Sequence, residues 1–123
     1  MTLDTGALIA IERDAREVAA EVAAALRRRD VVVIPAVVLA QAWRGPRSAK
    51  VGLLARHSRI ESFTEEGARA VGELLARSGT SDVVDAAVAL SAASRGDKLL
   101  TSDPADLRRL AAHIRGSFVI VAV

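Results

Sequence analysis

The chain has 123 residues, of which 51% are hydrophobic, and this size and composition predict a single globular domain over residues 1–123. It contains no cysteine, which excludes disulfides, zinc-thiolate sites and thiol nucleophiles and is compatible with a reducing, cytoplasmic location. Seventeen Lys and Arg against 15 Asp and Glu leave a net charge of only +2.

No segment has the pattern of a membrane span or a secretory signal. The longest uncharged apolar stretch, residues 31–43, is interrupted by Pro35 and is shorter than the ~18 residues expected of a membrane span. Asp4 lies close to the start and no basic residue precedes it, which is not typical of a signal peptide. We therefore expect no membrane association.

Short apolar runs alternate with helical patterns along the chain, which favours βαβ units. In chain order, the pattern predicts a strand over 1–3, helices over 7–13 and 16–29, a strand over 31–34, helices over 36–44 and 48–57, a strand over 60–63, helices over 65–77 and 82–95, a strand over 98–101, a helix over 104–113 and a strand over 118–123. The expected fold class is α/β, with a central, mostly parallel sheet of four to five strands flanked by helices. The first strand is short, and the sequence therefore leaves open whether the native start lies upstream of Met1.

Several aspartates are expected to meet at one edge of this sheet. Asp4 follows the first strand and Asp103 follows the fourth, while Asp82 and Asp85 lie three residues apart on the first turn of one helix. In an open parallel sheet, ligands bind at the carboxyl ends of the strands and at the helix starts that follow them. Carboxylates gathered in one place repel one another, so such a cluster normally binds a hard divalent cation. The sequence therefore favours a metal-dependent hydrolase.

The remaining charges point to a polyanionic substrate. Without those four aspartates, 17 basic residues oppose 11 acidic ones, and a basic body around an acidic pocket would suit an enzyme that acts on a polyanion. Arg44, Arg47 and Lys50 lie in the densest basic region and are candidate contacts for RNA phosphates. A solvated helix face is the alternative interpretation of the same residues.

Two of the aspartates also have a purely structural interpretation. Asp82 could cap the helix that follows it, and Asp103 directly before Pro104 is a favourable N-cap. Asp85 is harder to explain in this way, because it interrupts the apolar helical segment VVDAAVAL. Burial of an unpaired carboxylate in such a helix would be strongly unfavourable.

Four short segments occur in an informative order. They read LDTGAL over 3–8, IPAVVLAQAWRG over 34–45, DVVDAAVA over 82–89 and LTSDPADL over 100–107. Each is weak alone, but in this order and at these separations they resemble PIN-domain proteins, and specifically the VapC toxins of type II toxin–antitoxin modules. The resemblance covers essentially the whole chain.

This resemblance implies a single PIN-like domain that acts as a Mg²⁺- or Mn²⁺-dependent endoribonuclease. Carried over by position, the catalytic and metal-binding residues would be Asp4, Asp85 and Asp103, with Thr5 and Ser102 lining the site and Asp82 adjacent. The implied partners are an RNA substrate, a cognate antitoxin that silences the enzyme, and a second copy of the chain. The apolar region 35–54 would suit a homodimer interface.

One position departs from the family pattern. The second acidic residue of the family is typically Glu, in the segment that here reads LAQAW, and Gln41 is neutral. Its carbonyl oxygen could orient a water or ligate weakly, but the site loses one negative charge, and divalent-ion affinity depends on ligand charge. The alternative function is therefore a catalytically weak or silent PIN-fold module that binds antitoxin or RNA. A phosphoacceptor or nucleotide-binding domain is disfavoured, since no glycine-rich phosphate loop is present.

The aromatic and imidazole side chains carry little functional signal. Trp43 is the only tryptophan, and we expect it in the core or at a subunit interface rather than as a platform for base stacking. His57 and His113 lie in a basic helix and near a helix end, so surface positions are expected for both.

Overall fold

A single sheet of five strands organises the molecule. In the computed structural model, which describes all residues from 1 to 123, the strands are β1 (Thr2–Leu3), β2 (Val33–Pro35), β3 (Arg59–Glu61), β4 (Lys98–Thr101) and β5 (Val119–Ala122). They run parallel in the order β3-β2-β1-β4-β5. The predicted α/β class with a central parallel sheet is thus confirmed.

Seven α-helices connect and flank the strands. They are α1 (Thr5–Glu12), α2 (Arg16–Arg27), α3 (Ala36–Ala42), α4 (Ala49–Arg56), α5 (Glu65–Ser78), α6 (Val83–Arg95) and α7 (Pro104–Ala111). A 3₁₀ turn over Gly45–Ser48 leads into α4. No helix combines the length and the apolar composition that crossing a bilayer would require.

The central strand is short, and this sets the bounds of its neighbours. Thr2 pairs with Val33, so β2 begins at residue 33 rather than at the predicted residue 31. α1 begins at Thr5, two residues before the predicted start, because the Asp4 carboxylate accepts the N–H of Ala7 at 2.7 Å and so caps the helix. The spacing of apolar residues predicts neither the strand register nor the side-chain cap, so both bounds differ from the prediction.

The end of α3 places Trp43 differently from the expectation. The helix stops at Ala42, and Trp43 takes an extended backbone conformation with its side chain 45% exposed. The ring lies over α4, where a Cβ added to Gly52 would be 3.4 Å from two of its carbon atoms. Of the two expected positions, the core is therefore wrong, and the subunit interface stays a prediction. Both histidines, by contrast, are exposed as expected.

The hydrophobic core lies between the sheet and the helices on its two faces. A cluster of 22 buried hydrophobic residues fills it, including Leu3, Ile34 and Leu100 from the three central strands. Burial of this apolar surface is the main force that stabilises the fold. It also holds the ends of β1 and β4 side by side, which positions the site described below.

A polar network lies under α6, where Arg95 donates to four side chains. Its guanidinium bonds to Glu61 at 2.5 Å, to Ser91 at 2.7 Å, to Thr2 at 2.9 Å and to Asp97 at 3.2 Å. The Thr2 hydroxyl also donates to Asp97 at 2.8 Å. Burial alone would raise the pKa of Glu61, but hydrogen bonds from Ser91 and Arg95 and the charges of Arg95 and Arg59 hold it below its ordinary value. This network joins β1 and β3 to α6, and it also engages Asp97, directly before β4.

Candidate active site

The sheet register brings Asp4 to the end of β4. Leu3 pairs with Leu100, and the N–H of Asp4 donates to the carbonyl oxygen of Leu100 at 3.1 Å. The Asp4 side chain is only 8% exposed. Burial raises the pKa of this carboxyl above its ordinary value, and hydrogen bonds from Thr101, Ala7 and Ser102 partly oppose the shift. Asp4 is thus a desolvated carboxylate at the carboxyl edge of the sheet.

Asp103 stands at the same edge and is not engaged as a cap. It occupies the N-cap position of α7, but its side chain makes no capping hydrogen bond. Its backbone N–H donates instead to the Thr101 hydroxyl at 2.9 Å. The Asp103 carboxylate therefore does not have the capping role that the sequence allowed, and its side chain is free to face a ligand.

Asp82 has the structural role that Asp103 lacks. Its carboxylate accepts the N–H of Asp85 at 2.9 Å, and α6 begins one residue later, at Val83. The expectation that Asp82 lies on the first helical turn is corrected: it is the residue before the helix. Asp85 does lie on that first turn and is partly buried.

Asp85 lies within the electrostatic influence of four other aspartates. Burial and, after it, the charges of Asp82, Asp106, Asp4 and Asp103 raise the pKa of Asp85 to about 6. No ion pair with a basic side chain is made by Asp85 or by the three other aspartates that the sequence singled out. The cluster therefore contains uncompensated negative charge, which a bound cation would relieve.

Asp106 belongs to this cluster, and sequence reasoning missed it. It lies in the first turn of α7 and lines, with Asp82, Asp85 and Arg109, a cavity of ≈ 250 Å³. Arg109 forms an ion pair with Asp106 at 3.7 Å. The signal was available in the sequence, because Asp103 and Asp106 are three residues apart at a helix start, the same spacing as Asp82 and Asp85.

The donor chemistry of the cluster fits a hard divalent cation. No group of three or more Asp, Glu, His or Cys side chains lies close enough together to hold one ion by itself. Mg²⁺ commonly binds through one or two carboxylates and keeps waters or substrate phosphate oxygens as its other ligands. The cluster offers carboxylate oxygens that carry excess negative charge, and burial desolvates those of Asp4 and Asp85. Such oxygen ligands suit a hard divalent cation.

Thr5, Gln41 and Ser102 surround the cluster. The Thr5 hydroxyl donates to Gln41 Oε1 at 2.5 Å, joining the start of α1 to the end of α3. Ser102 packs directly on Gly6 of α1, where an added Cβ would lie 1.8 Å from Ser102 Oγ and 2.7 Å from Ser102 Cβ. Only a residue without a side chain allows this approach.

Gly6→Ala should therefore displace the loop that carries Asp103. The Ser102 hydroxyl can rotate away from the new methyl group, but its Cβ cannot, so the backbone must move. We expect the RNA cleavage that the PIN resemblance implies to fall by between about ten- and hundredfold in this variant, because small misplacements of reacting groups cost that much. Ser102→Gly in the same chain should restore most of the activity.

The matched control for this change is Gly72→Ala in α5. A Cβ there would meet nothing within 4 Å, so activity should be unchanged and the free energy of unfolding should rise by about 0.5 to 1 kcal/mol. Equal loss of activity in both variants, or no recovery with Ser102→Gly, would contradict the packing argument.

The structure places the three candidate RNA contacts, Arg44, Arg47 and Lys50, in different surroundings. The Lys50 ammonium forms an ion pair with Asp14, so it is already partnered. Arg44 and Arg47 line a groove of ≈ 440 Å³ that also includes Gln41. Lys50 is not part of that groove, so of the three only the two arginines share a groove with Gln41.

Comparison with known proteins identifies the class to which this carboxylate-lined parallel sheet belongs. The family described as PIN domain matches residues 1–113. The chain belongs to the PIN domain family.

One similar solved structure is the VapBC2 complex from Rickettsia felis bound to a DNA fragment from its promoter. It matches with a TM-score of 0.73 and 17% sequence identity, over 99% of this chain and 97% of that chain. At this identity the likeness shows the fold. No curated protein matches the sequence significantly.

Proposed function

We propose that the protein is a cytoplasmic, metal-dependent endoribonuclease and the toxin of a type II toxin–antitoxin module. The observation that carries the proposal is the group of aspartates at the carboxyl edge of the sheet, formed around the desolvated Asp4 and Asp85, of which only Asp106 has an ion-pair partner. Membership of the PIN domain family and the fold shared with a VapBC complex support it.

Asp4, Asp85 and Asp103 are the proposed catalytic and metal-binding residues for Mg²⁺ or Mn²⁺. The bound ion would supply Lewis-acid stabilisation of the charge that develops at the scissile phosphate. Asp82 holds the first turn of α6 through its bond to the Asp85 N–H, so it positions Asp85.

Thr5 and Ser102 act through geometry rather than chemistry in this proposal. Thr5 fixes Gln41 by its hydrogen bond, and Ser102 fixes the loop after β4 by its contact with Gly6. Both are small, and both lie next to a proposed ligand in the sequence.

A catalytically silent binding module is the second candidate, and Gln41 is the observation that favours it. The position is neutral, and its carbonyl oxygen already accepts the Thr5 hydroxyl. Such a module would use the acidic pocket to receive a basic side chain of an antitoxin. The cleavage experiment separates the two candidates.

Purified protein should cut single-stranded RNA in Mg²⁺ or Mn²⁺, and a chelator should abolish the activity. The expected products are two shorter RNAs, read on a denaturing gel, and activity should return when metal is added in excess of the chelator. Antitoxin binding without cleavage under either metal would favour the silent module.

We further propose that the protein forms a homodimer and binds its antitoxin through apolar surface. Trp43 and Leu53, in the region 35–54, expose 45% and 59% of their surface, respectively. Large exposed apolar side chains that lie close together are typical of association surfaces. Light scattering of the purified protein, alone and with the antitoxin, measures both associations.

A further inference from the structure

A basic groove includes Gln41, whose side chain the Thr5 hydroxyl ties to the start of α1. It has a volume of ≈ 440 Å³ and lies between α1, the end of α3 and the start of α4. Its charged lining residues are Glu12, Arg13, Arg44 and Arg47, and Gln41 also lines it. Gln41 accepts the hydroxyl of Thr5, the residue that follows Asp4, and so links the groove to the segment that carries Asp4.

The cations of this groove are available to a ligand. Arg13 and Arg47 are exposed and make no hydrogen bond or ion pair through their side chains. Arg44 donates one N–H to the Trp43 carbonyl oxygen at 2.7 Å but meets no carboxylate. The only acid, Glu12, is already an acceptor for the N–H of Val51 at 3.0 Å. The groove therefore has a net positive charge beside a negative cluster.

Gln41 presents a hydrogen-bond donor at the junction between groove and cluster. Its Oε1 is engaged by Thr5, while its Nε2 has no partner in the protein. A side-chain amide can donate two hydrogen bonds from this nitrogen. A carboxylate at the same position would instead repel an approaching phosphate.

The acidic cavity at the starts of α6 and α7 is unsuitable for a polyanion. There the cavity is lined by Asp82, Asp85 and Asp106, and its one cation, Arg109, is paired with Asp106. A phosphate backbone approaching from this side would meet negative charge, so the basic groove is the favourable route.

We propose that this groove binds the phosphate backbone of the RNA strand that leads into the acidic site, with Arg13 and Arg47 as phosphate contacts and the Gln41 amide as the donor nearest the site. The neutral residue at position 41 then serves substrate binding rather than metal binding. This inference rests on the proposed function, because it assumes that RNA is the substrate.

Binding is tested apart from cleavage. A fluorescein-labelled oligouridylate of about ten nucleotides is titrated with the protein in chelator over a series of salt concentrations, and the Kd is read from fluorescence anisotropy. In Arg13→Gln/Arg47→Gln, the Kd at 0.1 M salt should rise on the order of tenfold, and the slope of log Kd against log salt should fall by about 1.4, since each single-strand phosphate contact contributes about 0.7.

The matched control is Arg27→Gln/Arg115→Gln. These two arginines are also exposed and unpaired, and they line neither the groove nor the acidic cavity. Their removal lowers the net charge equally and should leave the slope unchanged. An equal effect of both double variants would overturn the proposal, and so would a wild-type protein that does not bind the oligonucleotide.

Gln41 has its own pair of variants. Gln41→Met removes the donor without adding charge and should raise the Kd several-fold, while Gln41→Glu adds repulsion and should raise it further. Unchanged binding in both would overturn the role assigned to Gln41. Metal-dependent cleavage by the wild type is scored independently, so the groove can fail while the nuclease assignment stands.

Discussion

Asp85→Asn should abolish RNA cleavage and, at the same time, stabilise the metal-free protein at neutral pH. Cleavage should fall by more than about 100-fold, because even groups that only support a metal ligand cost 10- to 100-fold when removed. The stability gain follows from the pKa of Asp85, which the folded protein raises from 3.8 to about 6.

The sign of the pH dependence follows from proton binding. Between pH 3.8 and about 6 the folded protein binds more protons at Asp85 than the unfolded chain does, so stability falls as the pH rises through this window. The destabilisation is fully present above pH 6 and absent below pH 3.8. Asparagine has no carboxyl group to ionise, so Asp85→Asn lacks this pH-dependent destabilisation.

Urea unfolding in chelator measures this effect. At pH 7.5 the free energy of unfolding of Asp85→Asn should exceed that of the wild type by about 1 to 2 kcal/mol, after allowance for solvent screening at a half-buried group. The difference should shrink towards zero near pH 4. Added Mg²⁺ should stabilise the wild type but not the variant, because only the ligand-bearing protein binds the ion.

Asp30→Asn is the control for this experiment. Asp30 is exposed and forms an ion pair with Arg28 at 2.9 Å, so its removal should lower stability by no more than about 1 kcal/mol. If Asp85→Asn were also destabilising at pH 7.5 in chelator, the carboxylate cluster would not be a site of repulsion, and the argument for a cation there would lose its basis.

Arg95→Met should lower the free energy of unfolding by about 2 to 4 kcal/mol. The guanidinium is 21% exposed and is paired with Glu61 and Asp97, which are 32% and 18% exposed. Removing Arg95 takes away the closest cation of Glu61, which keeps only Arg59 at 3.5 Å, and one of the two cations of Asp97, which keeps the N-terminal ammonium at 2.7 Å. Methionine preserves most of the side-chain volume, so the loss comes from the polar partners. Denaturant unfolding of the wild type and the variant at pH 7 measures this difference in the free energy of unfolding.

The same substitution at Arg69 is the matched control. Arg69 pairs with Glu65 within α5, and both side chains are more than three quarters exposed. Arg69→Met should therefore change the free energy of unfolding by less than about 0.5 kcal/mol. Similar losses in the two variants would mean that the network under α6 does not stabilise the fold.

The order and type of the elements could be predicted because their causes are local. β-branched runs, amphipathic spacing and the glycines after helices mark elements wherever they occur, and α5 and α6 end at Gly79 and Gly96, in left-handed conformations, much as the sequence indicates. The acidic residues at strand ends followed from the same pattern.

The roles of individual side chains were decided by the tertiary structure. Asp82 and Asp103 look alike in the sequence, each before a helix, yet only Asp82 makes the capping bond. Lys50 reads as a free cation but meets Asp14, which is 36 residues away in the chain. Sequence spacing does not encode which distant partner a side chain will reach.

The sequence by itself thus determined the α/β class, the PIN resemblance and Asp4, Asp85 and Asp103 as candidate ligands, because hydrophobic periodicity and residue order are properties of the chain. Only the tertiary structure decided that Asp106 joins the cluster and that Gln41 adjoins a basic groove. Both depend on how the sheet register and helix packing bring separate segments together, and that is a property of long-range contacts rather than of local pattern.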